Sequence, residues 1–308
     1  MSATAPTPQA FATLVLIACL MGGNHVAARM AFEHGVDVVT AVAVRSVVTA
    51  LAVGVLVRLS RVSVSMNARQ RGAMVFIGAL VALQSVWLYS AVARLPVGLA
   101  LLAFNTYPLW TAFWAWALYR HRPERAVLVA MPIILAGLAL ALDAAGAASG
   151  LGAQAQWARI GSGVAFALGA AAIFGVILAL TQHEVAALDG RLRSALTMAL
   201  VGVLAGGWAL AGGGLHLPNA PLGWTGLAAL TLLYGTGFTV MFTVLPRMGV
   251  VGSSPILNVE PVAALMLAWP LLGQAIAPVQ WAGALIVVGT VIALGLRGRR
   301  PGGAPARR

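Results

Sequence analysis

Ten runs of about 20 mostly apolar residues follow one another along this chain, separated by short gaps that hold most of its charge. They lie at 11–32, 36–57, 72–93, 97–119, 126–146, 160–182, 194–214, 223–245, 250–272 and 278–296. A helix rises about 1.5 Å per residue, so each run is long enough to cross the roughly 30 Å hydrocarbon core of a bilayer. The pattern predicts an all-α membrane protein with ten transmembrane helices. The third and fourth runs are the cleanest, with no charged residue between Arg71 and Arg94 or between Arg94 and Arg120. Arg45 interrupts the second run, and glycines loosen the end of the seventh. The first run reads as a span rather than a cleavable signal, because residues 1–10 carry no basic residue.

Composition agrees and removes whole classes of function. Of 308 residues, 61% are hydrophobic and 8% charged, whereas a soluble domain carries about 25% charged residues. Mean hydropathy is +0.94. A soluble enzyme, a disordered tail protein and a disulfide-stapled secreted domain are all excluded, and the single Cys19 has no internal partner. The net charge of +12 would suit nucleic acid, but its placement does not. All 19 basic residues are arginine, and fifteen of them fall in alternate gaps and the C-terminal tail, against three (Arg29, Arg94, Arg159) in the other gaps. By the positive-inside rule this puts both termini in the cytoplasm, in a bacterial-type inner membrane. Without lysine a phosphate loop is impossible, so the chain encodes no ATP motor.

The sequence also repeats. Residues 94–118 lie over 247–271 without a gap at an offset of 153, matching Arg94 with Arg247, Asn105 with Asn258, Pro108 with Pro261 and Trp116 with Trp269. Apolar bias does not produce coincident Arg, Asn, Pro and Trp. Five spans per half is an odd number, so the second half enters the membrane upside down, giving an inverted-topology repeat of the kind found in secondary transporters. The expected division is 1–147 for the first five-helix repeat, 148–296 for the second, and 297–308 for a basic cytoplasmic tail.

With this repeat, and with GGNHVAAR (22–29), AVRSVVTAL (43–51), NTYPLWTAF and NVEPVAALM, the chain resembles the EamA-type branch of the drug/metabolite transporter superfamily and is similar to YddG-like amino-acid exporters. The resemblance implies a ten-helix bundle whose central cavity is walled by spans one, three, four, six, eight and nine and opens alternately to either side. It departs from the family where an acidic residue usually follows span nine, since the chain here reads Leu272, Gly273, Gln274.

Polar residues at mid-span depth are the candidate site. Glu260 is the one carboxylate placed deep in a run, where an ionisable group costs about 2.5–3.5 kcal/mol and faces a cavity or a partner. It reads either as a proton-titrating or cation-binding group or as a structural carboxylate, and its repeat mate is Tyr107. Arg45 reads as a guanidinium satisfied by backbone carbonyls or a buried acid, with a carboxylate clamp as the alternative. Asn105 and Asn258 stand three residues before Pro108 and Pro261, which free a backbone carbonyl and bend the helix. Asn24 and His25 follow Gly22 and Gly23; Gln84 with Trp87, and Tyr234 with Phe238, fall at helical spacing. All ten of these residues, Arg45 and the prolines apart, are candidate cargo contacts, each weighed against ordinary packing. No catalytic set is present: His183-Glu184 lacks a second histidine at position 187, and no G-x-S-x-G elbow occurs. The expected function is a secondary transporter exporting small metabolites, amino acids first, with no cofactor, no metal and no nucleic-acid partner. Its partners are the cargo, the lipid bilayer and, through Glu260, protons. Alternatives are an exporter of drug-like cations and a membrane-embedded enzyme or channel.

Overall fold

The computed structural model describes residues 8–123, 125–243 and 259–297, and these are helical without a strand. In order the helices are α1 (Pro8–Phe32), α2 (Val38–Leu59), α3 (Ala68–Arg94), α4 (Val97–Phe104), α5 (Tyr107–Tyr119), α6 (Arg125–Ala141), α7 (Ala153–Glu184), α8 (Gly190–Ala211), α9 (Pro221–Thr243), α10 (Glu260–Leu272) and α11 (Pro278–Arg297). Five of them, α1, α2, α3, α7 and α8, are long and apolar enough to cross a membrane. Local chemistry sets several starts. The Asp37 carboxylate accepts the Thr40 N–H at 2.8 Å at the head of α2, and Asn67 and Gln70 cap α3 reciprocally at 2.8 and 3.0 Å.

The ten apolar runs all carry helix, but three differ from expectation. Run four is two helices, because the chain breaks at Asn105 and Thr106. The Thr106 Oγ donates to the Ala103 carbonyl at 2.8 Å, and Pro108 falls in the first turn of α5, where its missing N–H is not needed. Pro108 therefore opens a new helix instead of bending a continuous one. Run five ends early, at Ala141, in a turn organised by Asp143. Run six starts seven residues sooner, at Ala153, since its polar first turns continue the helix past the apolar stretch. The first half of run nine, with Asn258, lies outside the described residues.

The repeat is written into the backbone. α5 follows Thr106 (φ −73°, ψ −6°) and ends at a left-handed Arg120 (φ 60°, ψ 18°). At an offset of 153, α10 follows Val259 (φ −77°, ψ −11°) and ends at a left-handed Gly273 (φ 64°, ψ 19°). Packing follows the same exchange: α1 packs on α9 and α10, while α7, its counterpart, packs on α3 and α5. The pairs α2 with α8 and α6 with α11 join equivalent helices of the two halves.

Side chains are sorted inside out relative to a soluble protein. Leu51 (67% exposed), Val203 (70%) and Trp269 (68%) face outward, while Asn24 (0%) and Arg45 (3%) are buried. Only an apolar surrounding makes that arrangement favourable.

Asp143 holds the connection between the halves. Its carboxylate accepts the Ala148 N–H at 2.9 Å and the Ser149 N–H at 2.8 Å, and those bonds, Ala148 first, hold it below the usual aspartate range. A depressed pKa contributes stability that is present above the unfolded value, about 3.9, and is lost as pH falls through the folded one. Asp143→Ala is thus expected to lower the unfolding temperature by a few degrees at neutral pH. Melts in detergent should show the gap from wild type closing below about pH 3.9.

Candidate functional site

The site begins where two helices come close. A Cβ at Gly22 would lie 3.1 Å from the Glu260 carbonyl oxygen and 3.0 Å from the Ala264 nitrogen, so glycine lets α1 approach the first turn of α10. One turn further along α1, His25 Nε2 lies 3.3 Å from Glu260 Oε1, an ion pair when the imidazole is protonated. Gly175 plays the part of Gly22 in the second half, 153 residues on, where it lies against the backbone of Trp110 and Thr111 in α5.

Beside His25, Asn24 opens a second branch. Its Oδ1 accepts the Tyr89 hydroxyl at 2.8 Å, and that same hydroxyl accepts Arg45 Nη1 at 3.0 Å. Arg45 Nη2 donates to Ser85 Oγ at 2.9 Å. Ser85 and Tyr89, four residues apart, share one face of α3. The guanidinium lies 4.4 Å from the Tyr89 ring centroid and 4.0 Å from that of Tyr234 on α9, within cation–π range. Tyr234 packs on Phe238 at 4.6 Å and points its hydroxyl toward Met198 Sδ at 3.7 Å. The His25 ring meets Tyr89 edge-on at 5.6 Å. Five helices, α1, α2, α3, α9 and α10, so converge on one buried polar cluster. Its components are a guanidinium, an imidazole–carboxylate pair, phenols and an amide, a set of charged and neutral groups able to hydrogen-bond a polar solute.

Several expectations find their place here, and several do not. Asn24, His25, Tyr234, Phe238 and Glu260 are in or against the cluster. Tyr107 lies close enough to Glu260 to interact with it electrostatically, and its ring packs on Phe104 and Phe174 at 5.7 and 5.1 Å. Asn105 is buried at the end of α4. Trp87 turns away: it meets Phe166 edge-on at 6.0 Å and covers Gly169 of α7. Gln84 is buried one position off the Ser85–Tyr89 face. The residues that α3 supplies are Ser85 and Tyr89, which sequence reasoning missed. A tyrosine and a serine one turn apart in an apolar helix were the available signal. Arg45 is bound neither by backbone carbonyls nor by an acid among the described residues, but by two hydroxyls, and it brings α2 into the cluster.

Polar contacts join helices at both ends of the bundle. Near the ends of α1 and α3 lies an open groove of about 500 Å³ lined by Arg29, Phe32, Glu33, Val36, Asp37, Val38, Ala93 and Arg94. Arg29 pairs with Glu33 at 2.7 Å and donates to the carbonyls of Val92 and Ala93. It stands one helical turn beyond His25, or about 6 Å along the axis. At the opposite end Arg69 of α3 grips Glu184 of α7 through two bonds of 2.7 and 3.0 Å. There Tyr119 of α5 stacks on His183 at 3.7 Å. The groove's end is tied between the halves as well, by the Asn219 N–H on the His34 carbonyl at 3.0 Å, the His216 N–H on Thr40 Oγ1 at 3.0 Å and the Val97 N–H on Gln274 Oε1 at 2.9 Å. No group of three metal-ligating side chains occurs among the described residues.

The sequence model of the EamA-like transporter family matches residues 10–142 and 161–296, one copy on each repeat. A solved crystal structure is similar over 94% of this chain and 98% of its own, with a TM-score of 0.61 at 18% identity, a likeness of fold. No curated protein matches.

Proposed function

Because this chain belongs to the EamA-like transporter family and is a membrane transporter of the drug/metabolite type, we propose that it exports small polar metabolites, amino acids above all, by alternating access. In this reading ten passes form two inverted five-helix repeats, α4 and α5 making one pass and α10 completing another. The membrane is a bacterial-type inner membrane with both termini in the cytoplasm. The observation that carries the reading is the buried cluster itself, in which Arg45 and the His25–Glu260 pair lie within an apolar bundle. Ionisable side chains at that depth mark solute and proton pathways. Polar ties between the halves at both ends support it: Arg69–Glu184 at the end assigned to the cytoplasm, and the Asn219–His34 and Gln274–Val97 bonds at the end assigned to the outside. Rocking of the two halves would break one set while keeping the other.

Counterflow in proteoliposomes tests the proposal. Vesicles preloaded with one unlabelled amino acid at a time are expected to take up trace labelled amino acid in a saturable way that empty vesicles do not show. One observation favours a second cargo class: the Glu260 side chain is 28% exposed near the aromatic rings of Tyr107, Phe104 and Phe174, a setting that suits an organic cation. Stimulation by an aromatic cation such as ethidium, with none by amino acids, would select that reading.

A further inference from the structure

The donors around Arg45 are out of balance. The side chain is 3% exposed, yet both groups that bind it, the hydroxyls of Tyr89 and Ser85, are neutral. None of the ion pairs among the described residues includes it, and Glu260, the deep carboxylate, is engaged by His25. Two buried nitrogens beside it, Arg45 Nε and Asn24 Nδ2, have no hydrogen-bond partner among the described residues. Both residues meet on a single atom, the Tyr89 hydroxyl oxygen, 3.0 Å from Arg45 Nη1 and 2.8 Å from Asn24 Oδ1. The two free donors thus belong to side chains that share one hydroxyl. The Tyr89 and Tyr234 rings pack about the guanidinium, and the two hydroxyls take Nη1 and Nη2, which leaves the Nε edge as the one without an acceptor. Satisfying that edge and the Asn24 amide takes two acceptor oxygens, and the buried cation takes a negative charge. A carboxylate supplies both, two oxygens and a negative charge, and forms charge-assisted hydrogen bonds with a guanidinium.

We propose that Arg45, assisted by Asn24, is the carboxylate-recognising element of the cargo site, so that the cargo class is small molecules bearing a carboxylate. The proposal rests on the transporter reading above and names the substrate class of that same cluster. A purely structural Arg45 would tie α2 to α3 and α9 without discriminating between solutes, so discrimination is what the test must read.

The test uses the full chain in proteoliposomes, preloaded with each amino acid and, separately, with its amide, which keeps the side chain and amine but lacks the carboxylate. The wild type is expected to prefer acid to amide by about 100-fold or more, since a site built for a polar group rejects analogues lacking it. Arg45→Gln should erase the preference, and Arg45→Lys should restore part of it. Should Arg45→Gln fail to fold, Asn24→Asp serves instead: it keeps the shape of the side chain and sets an internal carboxylate beside the guanidinium, and is expected to fold and to lose transport of the acid. Equal carriage of acid and amide by the wild type, or undiminished carriage of the acid by Asn24→Asp, would overturn the proposal while leaving the transporter reading in place. Counterflow with no acid, amide or organic cation would overturn both.

Discussion

Glu260→Gln is expected to slow amino-acid counterflow by about 10- to 100-fold, the equivalent of one charge-assisted hydrogen bond of about 1.5–3 kcal/mol, and to abolish any response of uptake to a proton gradient. The variant keeps the shape of the side chain and its place in the first turn of α10, so packing against Gly22 is preserved. What it removes is the only deep carboxylate among the described residues. The groups that face Glu260 or share its field come from every neighbouring helix: His25 of α1 at 3.3 Å, Tyr107 of α5, Tyr89 of α3 and Tyr234 of α9, with Arg45 of α2 beyond Tyr89. If the pair carries a proton against the cargo, an imposed proton gradient accelerates wild-type uptake and leaves that of the variant unchanged. Uptake by both proteins with and without the gradient decides the matter, and equal acceleration of the two would discard Glu260 as the coupling group.

What could be read in the sequence, and what could not, follows from how each feature is determined. The apolar runs located the helices because bilayer thickness fixes their length. The offset of 153 was legible because paired Asn, Pro and Arg residues carry it, and it reappears in the caps of α5 and α10. The break at Asn105–Thr106 was not legible: Pro108 suits either a kink or a first turn, and the Thr106 bond to Ala103 selects the second. On α3, helical spacing gave residues one turn apart but not the inward face. In a membrane helix the lipid-facing and core-facing sides are equally apolar, so periodicity does not point inward. Hence spacing points to Gln84 and Trp87, whereas Ser85 and Tyr89, on a different side of the helix about 100–160° away, bond to Arg45 and Asn24. Arg45 was recognisably out of place, but its partners come from positions 40 and 44 residues along the chain and required the fold.

Alanine is expected to destabilise the fold at one glycine of α11 and not at another. A Cβ at Gly283 would fall within contact distance of the Ala141 nitrogen and 2.5 Å from the Gly137 carbonyl oxygen on α6. A Cβ at Gly137 would in turn meet the Gly283 carbonyl oxygen at 3.1 Å. Both obstacles are backbone atoms of a packed helix, so no rotamer change relieves the overlap, and α6 and α11 must separate. Overpacking of this kind costs about 1–3 kcal/mol, and separation also gives up the close backbone contact that small residues make possible between membrane helices. Gly289, two turns along the same helix, is exposed and has nothing within 4 Å of where its Cβ would stand. Alanine there adds no clash and removes the conformational freedom that makes glycine a poor helix former, a gain of up to about 1 kcal/mol. Gly283→Ala should therefore unfold at a lower temperature than wild type in detergent, and Gly289→Ala at the same or a higher one. Because propensity favours alanine at both positions, a lower melt confined to Gly283→Ala isolates the crossing of α6 and α11 as its cause. Equal melts for the two variants would show that the halves do not meet at Gly137 and Gly283.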